Sequence, residues 1–336
     1  MQDLLHQIQE RFNQVKLTNN TGIPLALAVW LATDEYAHVA DKNYISATSL
    51  LKPTKSIVLS ANTTEKSGVD ISELVQSKMG TALHSSLEAA WTGGKVHKTM
   101  ELLGYPQELI NNLKINPETV KEGDIPIYLE RRTNKVIDGW TLSGQFDFVA
   151  DGAVYDLKST GTYSYIAQSN KDKYIQQGSI YRWLNPDIIT SDVLTILYIF
   201  TDWSAAKAKQ ETDYPKSRLL QQKFPLMSLQ ETEQFIKTKL QQINAGLASP
   251  ESLPDCTPEE LWMKSSVFKY YKNPEKLDRS TKNFDSYWEA NQRMAEDGNV
   301  GKIVEVKSEA VFCRYCAASA VCPQAANLIK EGRLIL

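Results

Sequence analysis

Apolar positions along the chain change period twice, and the changes divide it into a helical start, a β-rich middle and a helical end. Residues 1–60 open with helical patterning that includes 25–39, then pass through YISATSLLKPTKSIVL, which reads as a turn and a short strand. A helix is predicted over 71–91. Ile71, Leu74, Val75, Met79, Leu83 and Leu87 recur mostly at spacings of three and four, Asp70 and Glu73 fit a capping box, and Gly93-Gly94 stops the helix. Over 126–159 the runs PIYLER, WTLSG, QFDFVA and AVYDLKS are short, β-rich and split by turn residues. A helix over 174–184 precedes VLTILYIFT (193–201), a run typical of a strand buried on both faces. Helices are predicted over 228–246 and 281–296, and loops over 60–68, 210–225 and 248–258. The order describes an α/β or α+β core with a helical C-terminal extension.

Composition narrows the function classes. The 336 residues are 42% hydrophobic and 23% charged, enough for a large domain with appendages. With 37 basic against 40 acidic residues the net charge is −3, which excludes a broad positive field that coats DNA but leaves room for a local basic groove. Ordinary, unpatterned Gly and Pro exclude a disordered or collagen-like chain. The longest apolar run, 25–32, falls short of the roughly 20 residues of a membrane span. The start, MQDLLHQIQERF, is amphipathic and lacks a signal-peptide apolar region, so the expected compartment is the cytoplasm. Cys256, Cys313, Cys316 and Cys322 are the only cysteines, and their C-x2-C-x5-C end suggests metal ligation over disulfides.

The chemistry concentrates in GQFDFVADGAVYDLKS (144–159). Asp151-Gly152 between alternating runs predicts a two-residue hairpin turn. Paired positions then sum to 303, which sets Asp147 opposite Asp156 and Lys158 opposite Gln145 on one face. Phe146, Phe148, Tyr155 and Leu157 form the other face, turned to the core. Like charges directly opposite each other destabilise a sheet. A divalent cation between the carboxylates removes that penalty, and a lysine beside it suits a phosphoryl transition state. The plainer alternative is a solvated face in which Lys158 pairs with both aspartates.

These residues resemble a known family. Gly144-x-x-Asp147 followed by Asp156-Leu157-Lys158 looks like the PD-(D/E)XK nuclease core. His84 in GTALHSSLE, with Gly80 and Thr81, and Gln177-x-x-x-Tyr181 on a following helix are similar to its RecB-like branch. The cysteine cluster resembles that of iron–sulfur nucleases such as AddB, and YISATSLL and CRYC look like phage-type exonucleases of the group. The likeness spans about residues 80–182, more loosely to the end. Phe146 stands in place of the family's proline, and Cys256 follows the core where those nucleases carry a cysteine before it.

The resemblance implies an α/β fold, a mixed central sheet flanked by helices with helical N- and C-terminal extensions. It implies a region 1–68 packing on the core, a nuclease core over 69–250 and a cysteine-bearing extension over 251–336. Asp147, Asp156 and Lys158 would be catalytic. Mg²⁺ or Mn²⁺ would be held by His84, Asp147, Asp156 and the Leu157 carbonyl. Tyr174, Gln177 and Tyr181, at i, i+3 and i+7 of one helix face, would order the site or meet DNA. The four cysteines would hold a [4Fe–4S] cluster, with zinc as the alternative, as a structural staple. Glu130, followed by Arg131 and Arg132, precedes the hairpin, and that arginine pair is a candidate phosphate grip, as are Lys171 and Lys173. Lys207 to Arg218 read as a loop. The implied activity is a metal-dependent DNA nuclease, foremost an exonuclease serving phage replication, recombination or repair in the host cytoplasm. DNA is the implied partner, with a helicase or single-strand annealing protein beside it and no membrane. The alternative is a DNA-binding scaffold with a cysteine-metal staple and a degenerate core. No G-x-x-x-x-G-K-[ST] is present, which argues against strand separation by the chain itself.

Overall fold

The computed structural model describes residues 17–33, 39, 41, 43–63, 69–263 and 265–335. The amphipathic start, residues 34–38 of the predicted 25–39 helix and residues 64–68 of the predicted loop lie outside the described residues. The chain forms two compact units, one containing residues 17–51 and 69–242, the other 52–63 and 243–335. The expected N-terminal region 1–68 is therefore divided between them.

The first unit is mixed α/β. It contains β1 (Leu17–Thr18), β2 (Tyr44–Ser46), β3 (Val69–Asp70), β4 (Leu113–Ile115), β5 (Ile125–Ile137), β6 (Trp140–Ala150), β7 (Ala153–Thr160), β8 (Val193–Phe200) and β9 (Leu219–Pro225). A seven-stranded sheet runs β4-β5-β6-β7-β8-β9, with β2 also on β6, while β1 and β3 pair separately. Within the seven-stranded sheet the pairs β4–β5, β2–β6 and β7–β8 are parallel and the others antiparallel, and β1–β3 is parallel. WTLSG and QFDFVA form one strand, because Gly144 keeps extended backbone within β6. Two Asp-Gly turns build the meander. Asp138-Gly139 and Asp151-Gly152 both hold two consecutive positive φ angles, the tight turn whose twist matches flanking strands.

A helix over Lys171–Leu184 lies against β6, and fully buried Ile180, Leu142, Phe146, Leu194, Ile196 and Phe200 fill this side of the core. Gly144 permits the contact. A Cβ there would stand 2.5 Å from Leu184 Cδ1 and 3.1 Å from Tyr181 Cδ1. The predicted 71–91 helix begins as a 3-10 turn, Ile71–Leu74, capped by Asp70 accepting from the Ser72 amide at 3.0 Å, and continues as a helix over Val75–Thr92.

Several predicted elements differ. KPTKSIVL is not extended: after β2, Ser46 caps a short helix Ala47–Leu50, and a second helix, Thr54–Asn62, starts just past Pro53. The 210–225 loop contains β9, which covers the far edge of β8, and the 207–218 stretch begins in a Ser204-capped helix, Ala205–Gln210. The 281–296 helix starts only at Tyr287, after its Ser286 cap, with a strand before it.

The second unit holds β10 (Val267–Tyr271), β11 (Lys282–Phe284) and β12 (Lys302–Val306) in the antiparallel order β11-β10-β12, with the Tyr287–Glu296 helix against them. Leu261, Ala310, Cys313, Ala325, Leu328 and Leu334 form a separate small core. Among the described residues no helix is long and apolar enough to cross a membrane.

Candidate active site

The site begins at a gap in the sheet. The edge of β6 that faces β7 is shared: β2 takes residues 141–143 and β7 takes 148–150, leaving 144–147 between the two ladders. Pairing in the 303 register runs from Ala150–Ala153 to Phe148–Tyr155 and ends there. The Asp147 carboxylate enters the opening, and its Oδ2 accepts from the Leu157 amide at 2.7 Å. Asp147 and Asp156 are thus not a ladder pair as predicted, because a side chain has replaced the backbone bond that would hold them opposite. Phe146 and Leu157 are buried as expected, while Phe148 and Tyr155 are half-buried and stack edge-on at 5.8 Å.

Glu130 completes a three-residue cluster. The β5–β6 register passes from Leu129–Phe148 to Arg131–Phe146, so Glu130 sits across from Asp147. Its φ is +48°, a left-handed residue in mid-strand. Such strain persists only where surrounding structure enforces it. Glu130 Oε2 accepts from Gln145 Nε2 at 2.8 Å, and the Arg132 guanidinium donates to Gln145 Oε1 at 2.9 Å. Arg132 therefore orders the cluster through Gln145, where a phosphate grip was predicted, and Arg131 lies over the Tyr128 ring. Glu130 Oε1 is buried without a hydrogen-bond partner. It lies 3.5 Å from His84 Nδ1, and Asp147 Oδ1 lies 3.4 Å from the same nitrogen. One ligand atom from each of His84, Glu130 and Asp147 falls within 4.8 Å of the others.

Asp156 and Lys158 adjoin this cluster. Lys158 Nζ is 2.5 Å from Asp156 Oδ2 and 5.8 Å from the Tyr174 ring centre. Burial works against the Lys158 charge, but Asp156 and Asp147 outweigh it and hold its pKa above the ordinary range. Asp147 is pushed up to about 7 by burial and by the Asp156 charge, against the pull of His84 and Lys158. The carboxylate of Glu130, then burial in opposition, then Asp147 act on His84, and the net effect raises its pKa. Two carboxylates that cannot comfortably both ionise, with one unpartnered oxygen, form an electrostatic demand for a cation.

The predicted support residues divide. Gln177 Nε2 donates to Tyr181 OH at 2.7 Å, and Tyr181 and Tyr174 are buried, so these rings wall the site from behind. Gly80 does not mediate close backbone approach: a Cβ there would meet only Ser159 Oγ at 3.7 Å. Glu130 was passed over as a ligand by reading the sequence, although a signal existed. The Asp138-Gly139 turn sets pairs summing to 277, which places Glu130 against Asp147 by the same reasoning used for the second turn.

In the second unit the four cysteines line one cavity of about 20 Å³. Gln324 brings the distant Cys256 to it, accepting from the Cys256 amide at 2.8 Å and donating to its carbonyl at 2.9 Å. Ser56 Oγ lies 3.2 Å from Cys316 Sγ. Burial pushes the Cys256 and Cys313 thiols up to about 12 and about 11. Among the described residues no three cysteine sulfurs lie within 4.8 Å of one another. A tetrahedral zinc with bonds of about 2.3 Å would draw its sulfurs to about 3.8 Å apart.

No protein-family model matches the chain, and no curated protein matches it. The crystal structure of SSO0001 is similar over 62% of this chain and 80% of that one, at 15% identity and a TM-score of 0.36.

Proposed function

We propose that the chain is a metal-dependent DNA nuclease of PD-(D/E)XK type, acting as an exonuclease. The observation that carries this reading is the cluster of His84, Glu130 and Asp147, in which the buried Glu130 Oε1 has His84 at 3.5 Å and no well-formed hydrogen bond, beside the Asp156–Lys158 pair. His84, Glu130 and Asp147 would hold Mg²⁺ or Mn²⁺, with Asp156 and the Leu157 carbonyl completing the shell. An oxygen-rich set with one imidazole suits such hard cations. Bound there, the cation supplies Lewis-acid polarisation of a phosphodiester and acidifies the attacking water. Asp156 holds the Lys158 ammonium at the site, where it stabilises charge developing on the phosphoryl oxygens. The Leu157 amide fixes the Asp147 carboxylate, and Arg132 and Gln145 fix Glu130, so the donors are in place before a substrate arrives.

The thiol cavity belongs to the same proposal as a [4Fe–4S] staple. The four cysteines line one space, and the resemblance to iron–sulfur nucleases favours a cluster there over one zinc ion. Bound there, the cluster supplies a cross-link; Gln324 fixes Cys256 and Ser56 contacts Cys316.

The test is cleavage of end-labelled linear duplex, linear single strand and covalently closed circles with Mg²⁺ or Mn²⁺. Degradation of linear DNA only, lost in Lys158→Ala, is the expected result. Cleavage of circles replaces the exonuclease by an endonuclease. Full activity in Lys158→Ala, or no cleavage with the cysteine-bound metal intact, overturns the reading.

A further inference from the structure

An open cleft of the first unit lies outside the metal cluster, where the His84 helix ends. Its walls are Trp91, Val96, His97, Lys114, Ile115 and Asn116, around about 660 Å³. Gly93 stops the helix and Gly94, at φ +77°, turns the chain so that Val96 and His97 close one side. The cleft is also lined by Leu113, Lys114 and Ile115 of β4, the edge strand of the sheet. Its last pair, Ile115–Ile127, is extended by a side chain: Asn116, at φ +46°, accepts from the Leu129 amide through Oδ1 at 2.8 Å. The cleft floor therefore joins β5 one residue before the Glu130 kink.

Trp91 and His84 stand seven residues apart on one helix, which puts them on the same face about 10 Å apart along the axis. Trp91 is half-buried and anchored by Phe148, ring centres 5.0 Å apart at 61°. Lys114 lines the cleft, and its ammonium is steadied by the Asn111 carbonyl at 3.1 Å and by Asp124 at 3.9 Å. His97, also on the lining, is exposed. An anchored indole, a lysine and an imidazole around a space large enough for a nucleotide match the needs of an unstacked base and its phosphate.

We propose that this cleft binds one unpaired nucleotide of a DNA single strand, its base on Trp91 and its phosphate at Lys114 and His97. The inference rests on the nuclease reading and deepens it, since it assigns the site a single-strand path. The distance from Trp91 to His84 is one that a short extended stretch of strand covers.

Binding of a fluorescein-labelled eight-residue oligothymidylate is measured by anisotropy with Ca²⁺ replacing Mg²⁺, alongside Mn²⁺ binding by calorimetry. Trp91→Leu and Lys114→Gln are each compared with the wild type, with circular dichroism as a check on folding. Each variant is expected to weaken oligonucleotide binding about tenfold or more and to leave Mn²⁺ affinity unchanged. Trp91→Phe should keep most of the binding. Lys114 is at the surface, so Lys114→Gln tests the idea even if Trp91→Leu unfolds. Wild-type affinity in folded Lys114→Gln and Trp91→Leu overturns the cleft assignment while the metal site stands. Loss of Mn²⁺ binding by the wild type itself overturns the nuclease reading instead.

Discussion

Asp147→Asn should make the metal-free protein more stable and the metal-loaded protein inactive. The native state holds Asp147 at about 7, against an ordinary value of 3.8. A pKa raised by folding contributes stability that is complete below the unfolded value and is lost as pH rises through the folded one. The native state is therefore penalised progressively from pH 4 to 7, and above pH 7 the full cost, about 4 kcal/mol, is present. Asparagine keeps an oxygen to accept from the Leu157 amide and carries no charge to repel Asp156. In EDTA at pH 8 the variant should gain about 2–4 kcal/mol by urea unfolding, and at pH 4 the gain should nearly vanish. Adding Mn²⁺ should raise the melting temperature of the wild type and leave the variant unmoved. The reasoning fails if the variant is no more stable than the wild type at pH 8, or if Mn²⁺ stabilises both alike.

Protons on Asp147, held at about 7, and on His84, held above its ordinary value, both compete with the metal, so Mn²⁺ binding by calorimetry should weaken about tenfold or more per pH unit as pH falls below 7. Glu130→Gln, at the residue the motif did not flag, should lower Mn²⁺ affinity about 10–100-fold while retaining the fold. Gly144→Ala drives a methyl into Leu184 and Tyr181 and should cost about 1–3 kcal/mol, read as a lower urea midpoint. In protein stripped of metal, Cys256 and Cys313, pushed up to about 12 and about 11, should react with iodoacetamide at pH 8 more slowly than a free thiol in solution. Cys316→Ser should lose bound iron and melt at a lower temperature; equal iron content and melting would remove the staple.

Local chemistry made much of this site legible. An Asp-Gly turn has few alternatives, so the register of the hairpin and the nearness of Asp147 to Asp156 and Lys158 followed from sequence alone. The Asp70 cap and the apolar stripe after it placed His84 on a helix. Gln177 and Tyr181 were readable as neighbours because four residues make one helical turn. What misled was regularity. Alternation assumes a continuous ladder, and here β2 takes part of the β6 edge, so the strands part where Asp147 was expected to face Asp156. Ser46 and Pro53 gave helix starts that a run of β-branched residues concealed.

The sequence by itself determined the elements and the local pairings, because turns, caps and periodicity act over a few residues. Tertiary structure alone decided the rest. Glu130 enters the cluster through a strained backbone that no propensity favours, held by Gln145 and Arg132 from neighbouring positions in the sheet. Cys256 reaches the other thiols through Gln324, 68 residues away. The hairpin turn sets Glu130 across from Asp147, but its meeting with His84, like that of Cys256 with the other thiols, depends on contacts between segments distant along the chain, whose energy is gained only once the sheet and the small core have formed.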